Sequence, residues 1–258
     1  MKRILLTSCL LLFSFLLFSQ EEAKPYKKGE WLEYKMSYSG FLKAGTAQLQ
    51  LEETSLDGRQ VFHATGHGKT SNFIGWFFKV NDTYESYFDV KKNIPYLFKR
   101  DVNEGGYIIK RDTRFDQKTK VATVEDYKHN TVKKFPFDDV QDMISAFYYL
   151  RNLNTDTIKK GDKIDLKLFF DSKTFPFKLH FLGNEIIKTK FGKIKTMKLR
   201  PLVQAGRVFK ENESVTLWVS ADQNKIPIRL KANLAVGSLR AELVAFKSLA
   251  NSFNIIFD

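Results

Sequence analysis

Alternation of polar and apolar residues dominates this chain after its first twenty or so residues. Trp31-Leu32-Glu33-Tyr34-Lys35-Met36-Ser37-Tyr38 and Ala47-Gln48-Leu49-Gln50-Leu51-Glu52 place every second side chain on one face, the period of a half-buried strand. The same reading predicts strands over 61–66, 83–90, 95–101, 107–115 and 121–125. Beyond a helix it predicts strands over 163–170, 175–181, 185–189, 193–200, 214–220, 226–232 and 239–246. The intervals are short and rich in turn residues, as in Leu56-Asp57-Gly58, Glu104-Gly105-Gly106, Leu182-Gly183-Asn184 and Asp222-Gln223-Asn224. Many short strands at this spacing predict a mainly β fold: a curved antiparallel sheet, incomplete barrel or sandwich. One helix, about 139–151, capped by Asp138 or Asp139, presents Val140, Met143, Ile144 and Phe147 to the concavity.

The first twenty residues read differently. Lys2 and Arg3 precede an apolar run from Ile4 to Phe18, about the length of a signal-peptide core and short for a membrane span. Cleavage after Gln20 is expected, which makes residues 1–20 a signal peptide and 21–258 one β-rich domain, periplasmic or secreted. The single cysteine, Cys9, lies inside the apolar run and not at its end, so lipidation is not expected. The mature chain then has no disulfide, no thiolate nucleophile and no cysteine metal ligand. The formal net charge of +13 falls by two when Lys2 and Arg3 are removed. Such a charge favours anionic partners, but it is spread along the chain and fits lysine-decorated sheet faces. A lipid or anionic envelope component, with peripheral membrane contact, is the expected partner class, and nucleic acid is not.

Motifs for catalysis are weak. Gly66-His67-Gly68-Lys69-Thr70 lacks the glycine that a phosphate loop needs five positions before Gly68, where His63 stands. His63 and His67 share one strand face without the glutamate of a zinc helix. His129 and His180 have no nearby ligand partners in sequence. No nucleophile elbow or catalytic carboxylate spacing stands out, so no catalytic residue, metal or cofactor is assigned and the chain is read as not an enzyme.

Two segments carry the binding candidates. Asn72-Phe73-Ile74-Gly75-Trp76-Phe77-Phe78 does not alternate. It reads first as core, and otherwise as a lid over a cavity mouth or a membrane-touching loop; Phe73, Trp76 and Phe77 are ligand-contact candidates. A two-residue turn at Gly105-Gly106 sets Lys99 opposite Asp112, Asp101 opposite Lys110 and Arg100 opposite Arg111. A tight turn at Lys92-Asn93 adds Glu85 opposite Arg100. The result is either an internal Glu85–Arg100–Arg111 network or an anion site beside Tyr96 and Phe98.

Gly29-Glu30-Trp31-Leu32-Glu33-Tyr34, Tyr38, Gly40-Phe41, Ala44-Gly45 and Ala47 resemble the opening of the exported bacterial family called domain of unknown function 3108. The resemblance continues through Ile94-Pro95-Tyr96, Asn103 to Tyr107, Asp142 to Ala146, Phe169-Phe170-Asp171, Gly206 to Phe209 and Asn224 to Pro227. It implies a half-open barrel of the lipoprotein-carrier type and no established activity or catalytic residue. The expected function is a non-catalytic binding module for a hydrophobic or amphipathic, lipid-like ligand. The alternatives are an interaction protein binding acidic glycan, lipopolysaccharide or a protein partner and, third, a hydrolase.

Overall fold

The computed structural model describes residues 24–76, 78–202, 215–234 and 236–256. The expected signal peptide and Cys9 lie outside them, as do Phe77 and Gly206 to Phe209. Among the described residues, fourteen strands form one antiparallel sheet in the order β8-β7-β6-β5-β4-β3-β2-β1-β14-β13-β12-β11-β10-β9. In chain order these are β1 (Trp31–Tyr38), β2 (Leu42–Leu56), β3 (Arg59–Thr70), β4 (Asn81–Asp89), β5 (Pro95–Glu104), β6 (Tyr107–Asp116) and β7 (Val121–Asp126). They continue with β8 (Thr131–Pro136), β9 (Lys163–Phe170), β10 (Lys173–Thr189), β11 (Gly192–Pro201), β12 (Val215–Ser220), β13 (Pro227–Asn233) and β14 (Ser238–Lys247). The described residues also form two helices, α1 (Asn72–Gly75) and α2 (Met143–Asn152).

Bulges bend the sheet where neighbouring strands pair, as between Glu33 and Tyr34 in the β1–β14 ladder, Tyr87 and Phe88, and Phe181 and Gly183. It does not close. Its edges β8 and β9 are joined by Gln141, whose N–H donates to Lys167 O and whose carbonyl accepts from Phe169 N. Phe169 packs edge-on against Phe115 across the seam. The inner face of β2–β8 holds the main core, with Leu51, Phe62, Phe88, Phe98, Phe115 and Phe137 around Ile144 and Tyr148 of α2. Gly66 has a packing reason: a Cβ there would lie 3.2 Å from Ile144 Cδ1, so the helix sits on bare strand backbone.

Two expectations are corrected here, and one strand is added. The helix begins at Met143 with Asp142 as its cap, not at 139. Asp142 Oδ1 accepts from Ile144 N and Ser145 N, both at 2.8 Å, while Ser145 Oγ accepts from Asp142 N. Asp138 and Asp139 pair with Lys167 and Lys120 instead, and Met143 is exposed. Leu182-Gly183-Asn184 is a bulge and not a turn: one strand, β10, runs through it, with Gly183 at φ +108°. Strand β8, with the sequence Thr-Val-Lys-Lys-Phe-Pro, had no alternation to reveal it; its lysines and proline suit an edge.

The β5–β6 hairpin has the expected register. Gly105 and Gly106 take φ of +58° and +90°, Glu104 pairs with Tyr107, and Asp101 lies opposite Lys110. Asp101→Lys is therefore expected to cost about 0.5–1 kcal/mol by opposing two like charges. Adding Lys110→Asp should restore most of it. A double variant no more stable than the single one in urea would show that the two positions do not interact.

Candidate ligand-binding site

Helix α2 packs on β3 and β4 and also meets β9, and its Phe147 and Leu150 face the β9–β13 half of the sheet. In β9, Ile164 lies opposite Leu179, Leu166 opposite Phe177 and Leu168 opposite Phe175 of β10. Of these six apolar residues Leu179 is buried, while the rest are half-buried or, for Phe175, exposed. A small apolar cavity of about 60 Å³ lies where this strip meets α2, walled by Phe147, Leu150, Ile164, Leu179, Leu199 and Leu217. It adjoins an open cleft of about 1930 Å³ at the end of the curl where α2 terminates. Arg151, Thr155, Ile158, Met197 and Lys225 line both. The cleft adds Lys24, Lys91, Lys92 and Lys195 against Glu53, Asp156 and Asp222, so its polar wall is net basic.

Arg151 anchors this region and takes no part in its free charge. Its guanidinium is 3% exposed and meets Glu30, 1% exposed, through two bonds of 2.6 and 2.7 Å. It also donates to Pro25 O and Asn224 O. Tyr26, Phe147 and Tyr148 ring it at 5.3–5.5 Å. One side chain thus ties the N-terminal segment, the helix end and the β12–β13 turn together. Burial drives the Tyr26 hydroxyl up to about 12, with bonding from Asn152 opposing it.

The arginine pair is built differently from its expected form. Arg100 and Arg111 do lie opposite each other. The carboxylate between them is Asp171, from the two-residue turn of β9–β10, at 2.5 Å from Arg100 Nη1 and 3.2 Å from Arg111 Nη1. Asp126 takes Arg111 Nη2 at 2.6 Å, and Phe170 stacks on Arg100 at 4.2 Å. Burial pushes the Asp126 carboxyl up, but bonds from Arg111 and His129 outweigh it and hold the group well below the usual range.

Glu85 is absent from this network. Asp89 caps the β4–β5 turn through Lys91 N and Lys92 N, and the bulge after Tyr87 shifts the pairing by one residue. Tyr84 therefore faces Arg100, and Glu85 turns to the other face. There it meets His63 Nε2 at 2.8 Å, with Tyr87 stacked on the imidazole. The arginines close the seam as an internal ion network with β9–β10.

The remaining candidates separate. Phe98 is core, and Tyr96 donates to Asp89 Oδ2 beneath Arg59. Trp76 is 88% exposed, Phe73 62% and Phe78 52%, so the core reading of this segment is overturned. None of Phe73, Trp76, Glu85, Tyr96, Phe98, Arg100 or Arg111 lines the cavity or its cleft. The cavity walls escaped the sequence reading because Ile164, Leu199 and Leu217 look like any inward strand residues. Among the described residues no cluster of three potential ligands fits a metal ion, and His67 bonds Thr83.

The family profile of DUF3108, a protein of unknown function, matches residues 33–244. The chain belongs to the DUF3108 family. Its fold is shared with a β-barrel-like protein of the domain of unknown function DUF1849 from Brucella abortus. That match has a TM-score of 0.57 and 8% identity, over 86% of this chain and 99% of the other. This DUF3108 member is also matched, at a TM-score of 0.37 and 8% identity, by a Bacteroides fragilis protein taken to be exported and to have a YmcC-like fold. The match covers 87% of this chain and 98% of that one. A Parabacteroides distasonis protein taken to be a lipoprotein matches at 0.37 and 12% identity, over 87% and 97%. No curated protein matches. No helix among the described residues of this DUF3108 protein is long and apolar enough to cross a membrane.

Proposed function

We propose that this protein is an exported, non-catalytic binding module that holds an amphipathic, lipid-like ligand in the β9–β13 half of its curl. The observation that carries the reading is the continuity of an apolar wall with a basic cleft. Ile164, Leu166, Leu179, Leu199 and Leu217 offer hydrocarbon surface, and Lys91, Lys92 and Lys195 stand in the adjoining cleft where an anionic head would lie. At about 60 Å³ the closed cavity holds little more than water, so entry of an acyl chain requires Ile158 and the loop after α2 to swing outward. Each methylene buried then contributes about 0.8 kcal/mol towards binding. Export rests on the signal-like residues 1–20.

Displacement of a fluorescent fatty acid tests the reading. Leu166 is half-buried, so Leu166→Glu should leave the fold intact while weakening binding by about 10–100-fold, the loss of one apolar side chain contact. Native mass spectrometry should show a retained lipid in the parent protein. A clean protein mass together with no fatty-acid binding sinks the proposal and favours an interaction protein that recognises an acidic glycan or a protein partner.

A further inference from the structure

The turns at the two ends of the curl differ in chemistry. At one end they are polar: Asp57-Gly58, Lys91-Lys92-Asn93 and Gln117-Lys118-Thr119. At the other, neighbouring tips carry exposed apolar side chains. Phe41 of the β1–β2 turn is 84% exposed, Trp76 of the β3–β4 connection 88% and Val236 of the β13–β14 turn 78%. Phe73, Phe78, Tyr107 and Ile108 are exposed beside them. The strand register brings these tips to one end, since Gly45 pairs with Thr70, Thr83 with Asp101 and Tyr38 with Leu239.

The tips are bonded into one platform. Gly105 N donates to Lys79 O at 2.8 Å, Ser71 N to Ala44 O at 2.8 Å and Ser39 N to Ser238 O at 2.7 Å. The Phe78 ring lies flush on the β5–β6 turn: a Cβ at Gly105 would fall 2.6 Å from it, and φ +58° is already set for glycine. The exposed lysines Lys43, Lys69, Lys79, Lys110 and Lys128 surround the aromatic tips, with Lys128 Nζ 5.7 Å from the Tyr107 ring. Of the nearby carboxylates, Asp82 and Asp126 are buried and bonded inward, and Asp171 is held by the arginines. Among the described residues Asp101, Glu104 and Glu125 remain against these five lysines, so the platform is positive.

We propose that this rim docks on the surface of an anionic lipid bilayer. Aromatic side chains favour the headgroup layer, and each lysine beside an anionic surface adds attraction. A row of separate, protruding tips with lysines between them suits a soft interface, whereas a peptide partner uses a groove or a free strand edge. The inference stands apart from the ligand cavity, which none of these residues lines.

Flotation of the purified protein with vesicles is the test. Phosphatidylcholine vesicles that contain phosphatidylglycerol should carry the protein up, and pure phosphatidylcholine vesicles should carry far less. Phe41→Ser with Trp76→Ser should reduce the bound fraction's partition constant about tenfold or more, and Lys79→Glu about fivefold. All three side chains are exposed, and unchanged urea melts would confirm intact folding. With Trp31 and Trp218 replaced by Phe, Trp76 emission should shift to the blue on vesicle addition. Leu166→Glu should leave flotation unchanged, so failure of the cavity and failure of the rim are told apart. Absence of flotation with phosphatidylglycerol, or equal flotation of the double serine variant, overturns the proposal. Parent and variants are compared in the same form, without residues 1–20, so that segment cannot produce the difference.

Discussion

Arg151→Met is expected to destabilise the protein by about 3–5 kcal/mol, because it strands the Glu30 carboxylate in a site 1% exposed. The carbonyls of Pro25 and Asn224 lose their donor in the same step. Glu30→Gln in the Arg151→Met background removes the orphaned charge and should recover a large part of the loss. The recovery is the informative outcome, since it separates a charge penalty from lost packing against Tyr26, Phe147 and Tyr148. Urea unfolding of the parent, the Arg151→Met and Glu30→Gln single variants and the double variant measures it. A single-variant loss below about 1 kcal/mol would mean that the pair does not pin the N-terminal segment to the helix.

Asp142→Asn is expected to change how stability depends on pH, with the larger effect in neutral solution. Burial raises the Asp142 carboxyl from 3.8 to about 6, although Ser86, Ser145 and Ile144 all bond it. Below pH about 4 the group is protonated in both folded and unfolded chains, and its ionisation costs nothing. Between about 4 and 6 the unfolded chain ionises first, so stability falls as pH rises. Above about 6 the full penalty, on the order of 3 kcal/mol, is in place. Asparagine keeps an acceptor for Ile144 N and Ser145 N and can donate to Ser86 Oγ, but it does not titrate. The stability difference between variant and parent should therefore move in the variant's favour from pH 4 to pH 7. A difference that stays flat across that range in urea melts would refute the raised carboxyl.

The alternation within β1 and β2 was legible because Lys35, Gln50 and Glu52 face solvent while Leu32 and Leu51 face the core. So was the Gly105-Gly106 register, where a two-residue turn leaves a single pairing. Strand β8 was hidden because an edge strand needs lysine and proline more than alternation. The position of Glu85 was lost to a single bulge, since a one-residue slip exchanges the two faces of a strand. The chain's resemblance to DUF3108 already included Glu30 and Asp171, but not what either one touches.

Local sequence, then, determined what neighbouring residues settle between themselves: strands, tight turns, the aromatic run at 72–78 and membership of the DUF3108 family. The contacts that define the candidate sites join residues far apart in the chain. Glu30 meets Arg151, Asp171 reaches Arg100, and Ile164 and Leu217 share a cavity wall. No local period encodes such partners, because they depend on how far the whole sheet curls and where the helix packs. The exposure of Trp76 was likewise undecidable locally: an aromatic run suits a core or a rim equally, and only the closure of the core around α2 left this one outside.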